Sequence, residues 1–310
     1  MYWRGAILSA LCTLSCVATL FFCPFSSAQD EVADAQATRK YSVALGFQKK
    51  KLFDQAAPRW QQFIQTYPQH KRTPTAYHHL GVCQIQQQKH AEAANTFRTI
   101  LSKFPQFTAL DSTHFNLGLA IYNAALASQK PADFNQAATT FGEVSAKFGN
   151  SPLVPTSLFY RAECLCLAGD FKTALPVYQN IVNAHPNSPV APRALYALGA
   201  TQQDLEMETE ATATYQSFLQ KFPQDSQVND CRLRLGDSLC KQQRFAEAEP
   251  IFAQAAGTAD FANADFAVMK YAQSLFEQDK LPQAAAQYES LPGRFKESEY
   301  IGTAYLAAGK

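Results

Sequence analysis

The sequence lacks a dominant charge: 27 Lys and Arg stand against 26 Asp and Glu, leaving a formal +1 over 310 residues. That balance excludes a nucleic-acid binder held by phosphate neutralisation and a highly charged disordered tail. Charge of either sign is scarce, 17% of residues, below the usual quarter. The polar surface comes instead from Gln, clustered at Gln84, Gln86, Gln87 and Gln88, which keeps a chain soluble without strong steering fields. Thirteen glycines in 310 residues exclude a collagen. One long apolar run, residues 5–23, excludes a multi-span membrane protein. Also missing are a nucleophile elbow, a phosphate loop and paired carboxylates on a rigid frame. The expectation is therefore a non-enzyme without cofactor, metal or small-molecule substrate. What is present, 47% hydrophobic and 12% aromatic residues, is the composition of a folded chain. At roughly 150 residues per domain the length suggests two globular domains, a prior that internal repetition overturns.

Met1 to Arg4 is a short basic start, Gly5 to Cys23 carries no charge, and Pro24, Ser26, Ser27 and Ala28 follow. These are the three parts of a secretory signal. The small residues Ser26 and Ala28 place the cut after Ala28, so that residues 1–28 are removed. The apolar run is also long enough, at about 27 Å, to serve as an uncleaved membrane anchor. Leu20-Phe21-Phe22-Cys23 offers a third reading as a lipoprotein signal, although Phe22 stands where a small residue is usual. All three export the chain, to the periplasm or cell envelope. A chain beginning at Gln29 has 26 bases and 26 acids.

A repeat emerges from pairing Ala with an aromatic four residues later: Ala56/Trp60, Ala93/Phe97, Ala137/Phe141, Ala174/Tyr178, Ala211/Tyr215, Ala248/Phe252 and Ala284/Tyr288. Successive steps are 37, 44, 37, 37, 37 and 36 residues. A second ladder, Gly81, Gly118, Ala162, Gly199, Gly236 and Ala272, lies 12 residues before its Ala in every case but Gly118, where the gap is 19. The seven extra residues fall near Ser128–Asp133 and read as a longer turn. Each unit is then two helices, with small residues permitting close approach and the i, i+4 pair filling the gap. No unit can bury that face alone, so stacking must build one continuous core.

These residues resemble the tetratricopeptide (TPR) repeat family: Leu80-Gly81, Ala93, Phe97 and Pro105 in one unit, Leu198-Gly199, Ala211, Tyr215 and Pro223 in another. The turns, as in Phe222-Pro223-Gln224-Asp225-Ser226, look like those of exported bacterial envelope members, among them the coordinator of the Tol–Pal system and the lipoprotein of the outer-membrane barrel-assembly machine. The resemblance implies an all-α, right-handed superhelical solenoid over residues 29–310. Its units lie near 31–70, 71–108, 109–152, 153–189, 190–226, 227–261 and 262–297, with a partial eighth at 298–310. That last piece, apolar at Tyr305-Leu306-Ala307-Ala308, suggests either an N-terminal part of a longer protein or a helix that packs on a partner.

In this family the first helix of each unit lines a concave surface that binds partner segments. The positions three before the small ladder are His78, Phe115, Phe159, Tyr196, Leu233 and Met269. They form either a groove suited to an extended or helical segment with apolar anchors or simply inter-unit core. Members that clamp a C-terminal carboxylate use Lys and Asn where this sequence has Val43, Phe47, His78 and Val82, which disfavours that ligand. His79 and Cys83, at i and i+4, could meet one metal but read better as packing. Cys83, Cys164, Cys166, Cys231 and Cys240 are too far apart on this geometry for internal disulfides. Lys49-Lys50-Lys51 reads as a solvated face. The functional expectation is an exported, non-catalytic scaffold for a protein or peptide partner. The alternative is the N-terminal repeat region of a larger envelope enzyme or assembly factor, and a self-stacking envelope component is a third reading.

Overall fold

The computed structural model describes residues 25–258 and 260–309. The signal, anchor and lipidation readings fall on residues 1–28 and, apart from the helical backbone at 25–28, lie outside the described residues. Every described element is a helix: α1 (Phe25–Lys49), α2 (Phe53–Thr66), α3 (Thr73–Gln86), α4 (His90–Lys103), α5 (Leu110–Ser128), α6 (Pro131–Lys147), α7 (Val154–Leu167), α8 (Phe171–Ala184), α9 (Ala191–Asp204), α10 (Glu208–Lys221), α11 (Val228–Lys241), α12 (Phe245–Ala256), α13 (Ala264–Phe276), α14 (Leu281–Arg294) and α15 (Ile301–Ala308). They pair as seven units, α1–α2 to α13–α14, with α15 opening an eighth. Each helix packs chiefly on its neighbours in sequence, and α3–α5 and α9–α11 also touch across units. No described helix is long and apolar enough to cross a membrane.

Two turn types alternate, and each has a sequence cause. Between the helices of a unit one residue adopts a left-handed conformation: Lys51, Gln88, Gln129, Glu206, Gln243 and Asp279 at φ between 55° and 61°, and Gly169 at 82°. Between units, Tyr67, Phe104, His185 and Phe222 each donate their N–H to the carbonyl four residues back and then leave the helix at φ near −130°. Each precedes a proline, which disfavours continued helix in the residue before it.

The small ladder contacts the aromatic of its own unit. A Cβ added at Gly81 would lie 2.5 Å from the Phe97 ring, and one at Gly199 would lie 2.5 Å from Tyr215. Trp60, Phe97, Phe141, Tyr178, Tyr215 and Phe252 are completely buried between the helix rows. Their polar tips are satisfied there: Trp60 Nε1 donates to Gln48 Oε1 at 2.9 Å, Tyr215 Oη donates to Gln203 Oε1 at 2.9 Å, and Tyr178 Oη donates to Glu163.

The expected longer turn at Ser128–Asp133 is corrected. Helix α5 has 19 residues and α6 has 17, against 14 in α3 and α4, and only Gln129-Lys130 separates them. The insertion is helical because Ala124-Ala125-Leu126-Ala127 favours helix. Gln129 then closes α5 in a left-handed cap, and Pro131 opens α6 at its first position.

Candidate functional site

All six groove positions lie on odd-numbered helices, but they meet different fates. His78 Nε2 is 3.2 Å from both Ser112 Oγ and Asn116 Nδ2 of α5, and its ring packs 5.7 Å from Phe97. Burial holds the His78 imidazole below its ordinary value. Phe115 is covered by Phe141 at 5.7 Å and by Tyr160 of α7 at 6.0 Å. Phe159 is 2% exposed, under the Arg193 guanidinium 4.3 Å from its ring centre. Leu233 is 7% exposed. Tyr196 and Met269 remain partly open.

The last four border a connected series of clefts along α7, α9, α11, α13 and α15. The first, about 270 Å³, is lined by Phe159, Glu163, Tyr178, Arg193 and Tyr196 among others. Tyr196 is also a wall of the second, about 560 Å³, which Leu233, Asp230, Arg234, Phe266 and Tyr300 help to line. Phe266 and Tyr300 in turn border a third, about 570 Å³, together with Met269, Phe276 and Tyr288. A smaller one, about 320 Å³, joins Arg234 and Asp237 to Lys241 and Lys270. The structure therefore brings Phe159, Tyr196, Leu233 and Met269 to the walls of these clefts, the first and third as buried side chains, whereas half-buried His78 and Phe115 line none of them and contact the next unit.

The ladder at one register missed the polar half of this surface. In unit six the lining residues Asp230, Leu233, Arg234, Asp237 and Lys241 recur at i, i+3, i+4, i+7 and i+11, one stripe of a helix. Reading the stripe rather than one position per unit would have found Arg193, Arg234, Asp237 and Phe266.

Other candidate chemistry resolves as packing. His79 stacks 4.8 Å from Trp60, and burial pushes its imidazole down to about 4. Cys83, Cys164, Cys166, Cys231 and Cys240 are free, and burial raises the Cys164 and Cys231 thiols to about 12. Such thiols are inert small hydrophobes at neutral pH. Lys49, Lys50 and Lys51 are exposed.

Comparison with known proteins places this architecture. Tetratricopeptide repeat models match residues 75–106, 156–188 and 193–225, and a second such model matches 232–299. The C-terminal part of a TPR repeat-containing protein from Cytophaga hutchinsonii superposes with a TM-score of 0.66 at 13% identity, covering 85% of this chain and 98% of that one. A tetratricopeptide repeat protein from Parabacteroides merdae gives 0.54 at 12% identity, over 88% of this chain and 99% of the other. PilF of Pseudomonas aeruginosa gives 0.51 at 15%, over 76% and 97%. Among curated proteins none matches in sequence. At these identities the likeness establishes the fold.

Proposed function

We propose that this chain, which belongs to the tetratricopeptide repeat family, is an exported docking scaffold that holds a protein or peptide partner along α7 to α15 in the cell envelope. Repeats of this family are protein-interaction scaffolds and are generally non-catalytic. The observation that carries the reading is the series of clefts sharing Tyr196, Phe266 and Tyr300 as walls. Half-open, with aromatic walls and polar rims, they suit side-chain anchors of a bound segment. The envelope rests on the basic start, apolar run and small-residue cut of residues 1–28. The 60% and 74% exposure of Tyr305 and Leu306 on α15 favours a second reading, in which the solenoid serves a larger envelope enzyme or assembly factor that covers this helix.

A photoreactive residue at Tyr196, with Gln179 on the exposed side of α8 as control, tests the scaffold in intact cells. An adduct at Tyr196 and none at Gln179 is expected. Equal capture at both, or capture at neither, would refute docking on this face. Fractionation with N-terminal sequencing tests export: a mature start at Gln29 in the envelope is expected, and an intact Met1 in the cytosol would overturn it.

A further inference from the structure

The two largest clefts on this face differ in character and share a wall. The third cleft is walled chiefly by apolar side chains, Met269, Phe276, Tyr288, Tyr300 and Phe266, with one charge of each sign, Lys270 and Glu277, beside them. The second, across Phe266 and Tyr300, is lined by four carboxylates, Asp230, Asp237, Asp265 and Glu299, and by a single cation, Arg234. Asp237 is paired to Lys270 at 2.8 Å, while Asp230, Asp265 and Glu299 have no basic side chain within 4.0 Å among the described residues. Two of these carboxylates are held by hydrogen bonds, those to Asp265 being short. Asp265 accepts from Ser298 Oγ at 2.7 Å and from the Phe266 N–H at 2.8 Å, and Asp230 accepts from Asn263 Nδ2 at 3.3 Å. The aromatic walls Tyr196, Phe266 and Tyr300 add ring faces that attract cations. Lys270 already shows that chemistry, with its ammonium 5.2 Å from the centre of the Phe266 ring.

Resting on the docking reading above, we infer that this face takes a basic, apolar partner segment, with a Lys or Arg in the carboxylate-lined cleft and a large apolar side chain beyond the Phe266–Tyr300 wall. Charge complementarity selects this occupant. An acidic segment would set its charge against three carboxylates that no base neutralises, and a wholly apolar one would bury those carboxylates without partners. Arg234 and Lys270 do not reverse the balance, because Lys270 is paired with Asp237 and Arg234 then stands alone against Asp230, Asp265 and Glu299. The preference is the opposite of a carboxylate-clamping groove, which needs bases where this one has acids.

Three fluorescein-labelled dodecapeptides test it by anisotropy on the purified chain: one of Leu and Lys in a Ser background, one with Glu for Lys, and one with Ser for Leu. The Leu/Lys peptide is expected to bind at least tenfold tighter than either other. Its binding should weaken with salt, as expected for charges at a solvent-exposed rim. The double variant Asp230→Asn, Glu299→Gln should lose at least tenfold, and Phe276→Ser should lose affinity without changing the Lys-over-Glu preference. Glu289→Gln, an exposed carboxylate on α14, should change nothing. Circular dichroism melts confirm that each variant is folded. Equal binding of the Lys and Glu peptides, no binding of either, or an unaffected double variant would overturn the inference. An in-cell adduct at Tyr196 whose captured segment has no Lys or Arg would overturn it too, while leaving the scaffold standing.

Discussion

In units two and three the side chain three before the small residue is engaged by side chains of the next unit, whereas in units four to seven it forms part of a cleft wall. His78 is covered from Ser112 and Asn116, and Phe115 from Tyr160. Those covering residues stand six and two positions before the next small residue. The same positions beyond Phe159 are Arg193 and Ala197, and beyond Tyr196 they are Asp230 and Arg234. Arg193 closes over the Phe159 ring, and it and Ala197 line one cleft while Asp230 and Arg234 line the next. The difference teaches that one helix-pair plan can either join neighbouring units closely or leave clefts between them, and that two positions per unit supply the side chains that meet across the boundary. The N-terminal units also hold their own core cluster, centred on Trp60 and Phe63 and separate from the one that runs from Ala93 to Ala304.

The strongest way to break the comparison is to remove Trp60, which packs against Tyr41 at 4.9 Å and His79 at 4.8 Å. Trp60→Ala should cost about 3–5 kcal/mol. Because repeat stability is a sum over neighbouring interfaces, the loss should stay local. Amide exchange should quicken in α1 to α3, while affinity of the Leu/Lys peptide at α11 to α15 changes less than twofold. A uniform rise in exchange would show that the two regions are one cooperative body.

Acid acts on the same region. Burial depresses the His79 imidazole from 6.5 to about 4, so the unfolded chain binds its proton more readily than the folded one. Stability from this group is complete above pH 6.5 and declines as pH falls toward 4, by about 2 kcal/mol after allowing for its remaining contact with solvent. His78 and His114 are shifted the same way by burial. Amide exchange at pH 5 against pH 7 should therefore loosen units one to three before units five to seven, and His79→Phe should reduce the gap. An even response along the chain would contradict this.

The fold was legible in the sequence because its rules repeat: a small residue, an alanine, an aromatic and a proline return at a period that only stacked helix pairs explain. The cleft-lined face was half legible. Position alone brought Phe159 and Tyr196 to the same ladder, but the clefts they wall are completed by Arg193 and by Asp230 and Arg234, residues one unit further along. The insertion after Gly118 misled for a related reason. Polar Ser128-Gln129-Lys130 marks the turn, while the length was absorbed by alanines before it and by α6 after it.

The glycine ladder offers a sharper, smaller test. Tyr215 is fully buried and held by Gln203, so Gly199→Ala forces a ring that cannot move freely. The overpacking cost, about 1–3 kcal/mol, outweighs the roughly 1 kcal/mol that Ala gains over Gly in a helix. The net loss should be about 1 kcal/mol in a denaturant titration. Ala162 and Ala272, at the same ladder position in their units and completely buried, already carry that Cβ, so Ala162→Gly should destabilise as well. Stabilisation by either substitution would show that the ladder does not set helix approach.

The smallest effect concerns a bond that two unit boundaries share and that a third, with the same serine, lacks. Ser151, three residues before α7, donates to Asp111, the second residue of α5, at 2.6 Å. Ser298, three before α15, donates to Asp265, the second residue of α13, at 2.7 Å. Ser188 stands three before α9, but the second residue of α7 is Pro155, and the Ser188 hydroxyl is buried without a partner. Pro155→Asp would supply the missing acceptor and a favourable charge in a first helical turn. It also gives up a proline suited to that turn. A hydrogen bond to a charged group exceeds the lost preorganisation, and a net gain of about 0.5–1 kcal/mol is expected. The Pro155→Asp, Ser188→Ala double variant should lose that gain. If the gain survives without the hydroxyl, the carboxylate acts on the helix end alone and the bond is not what joins units four and five.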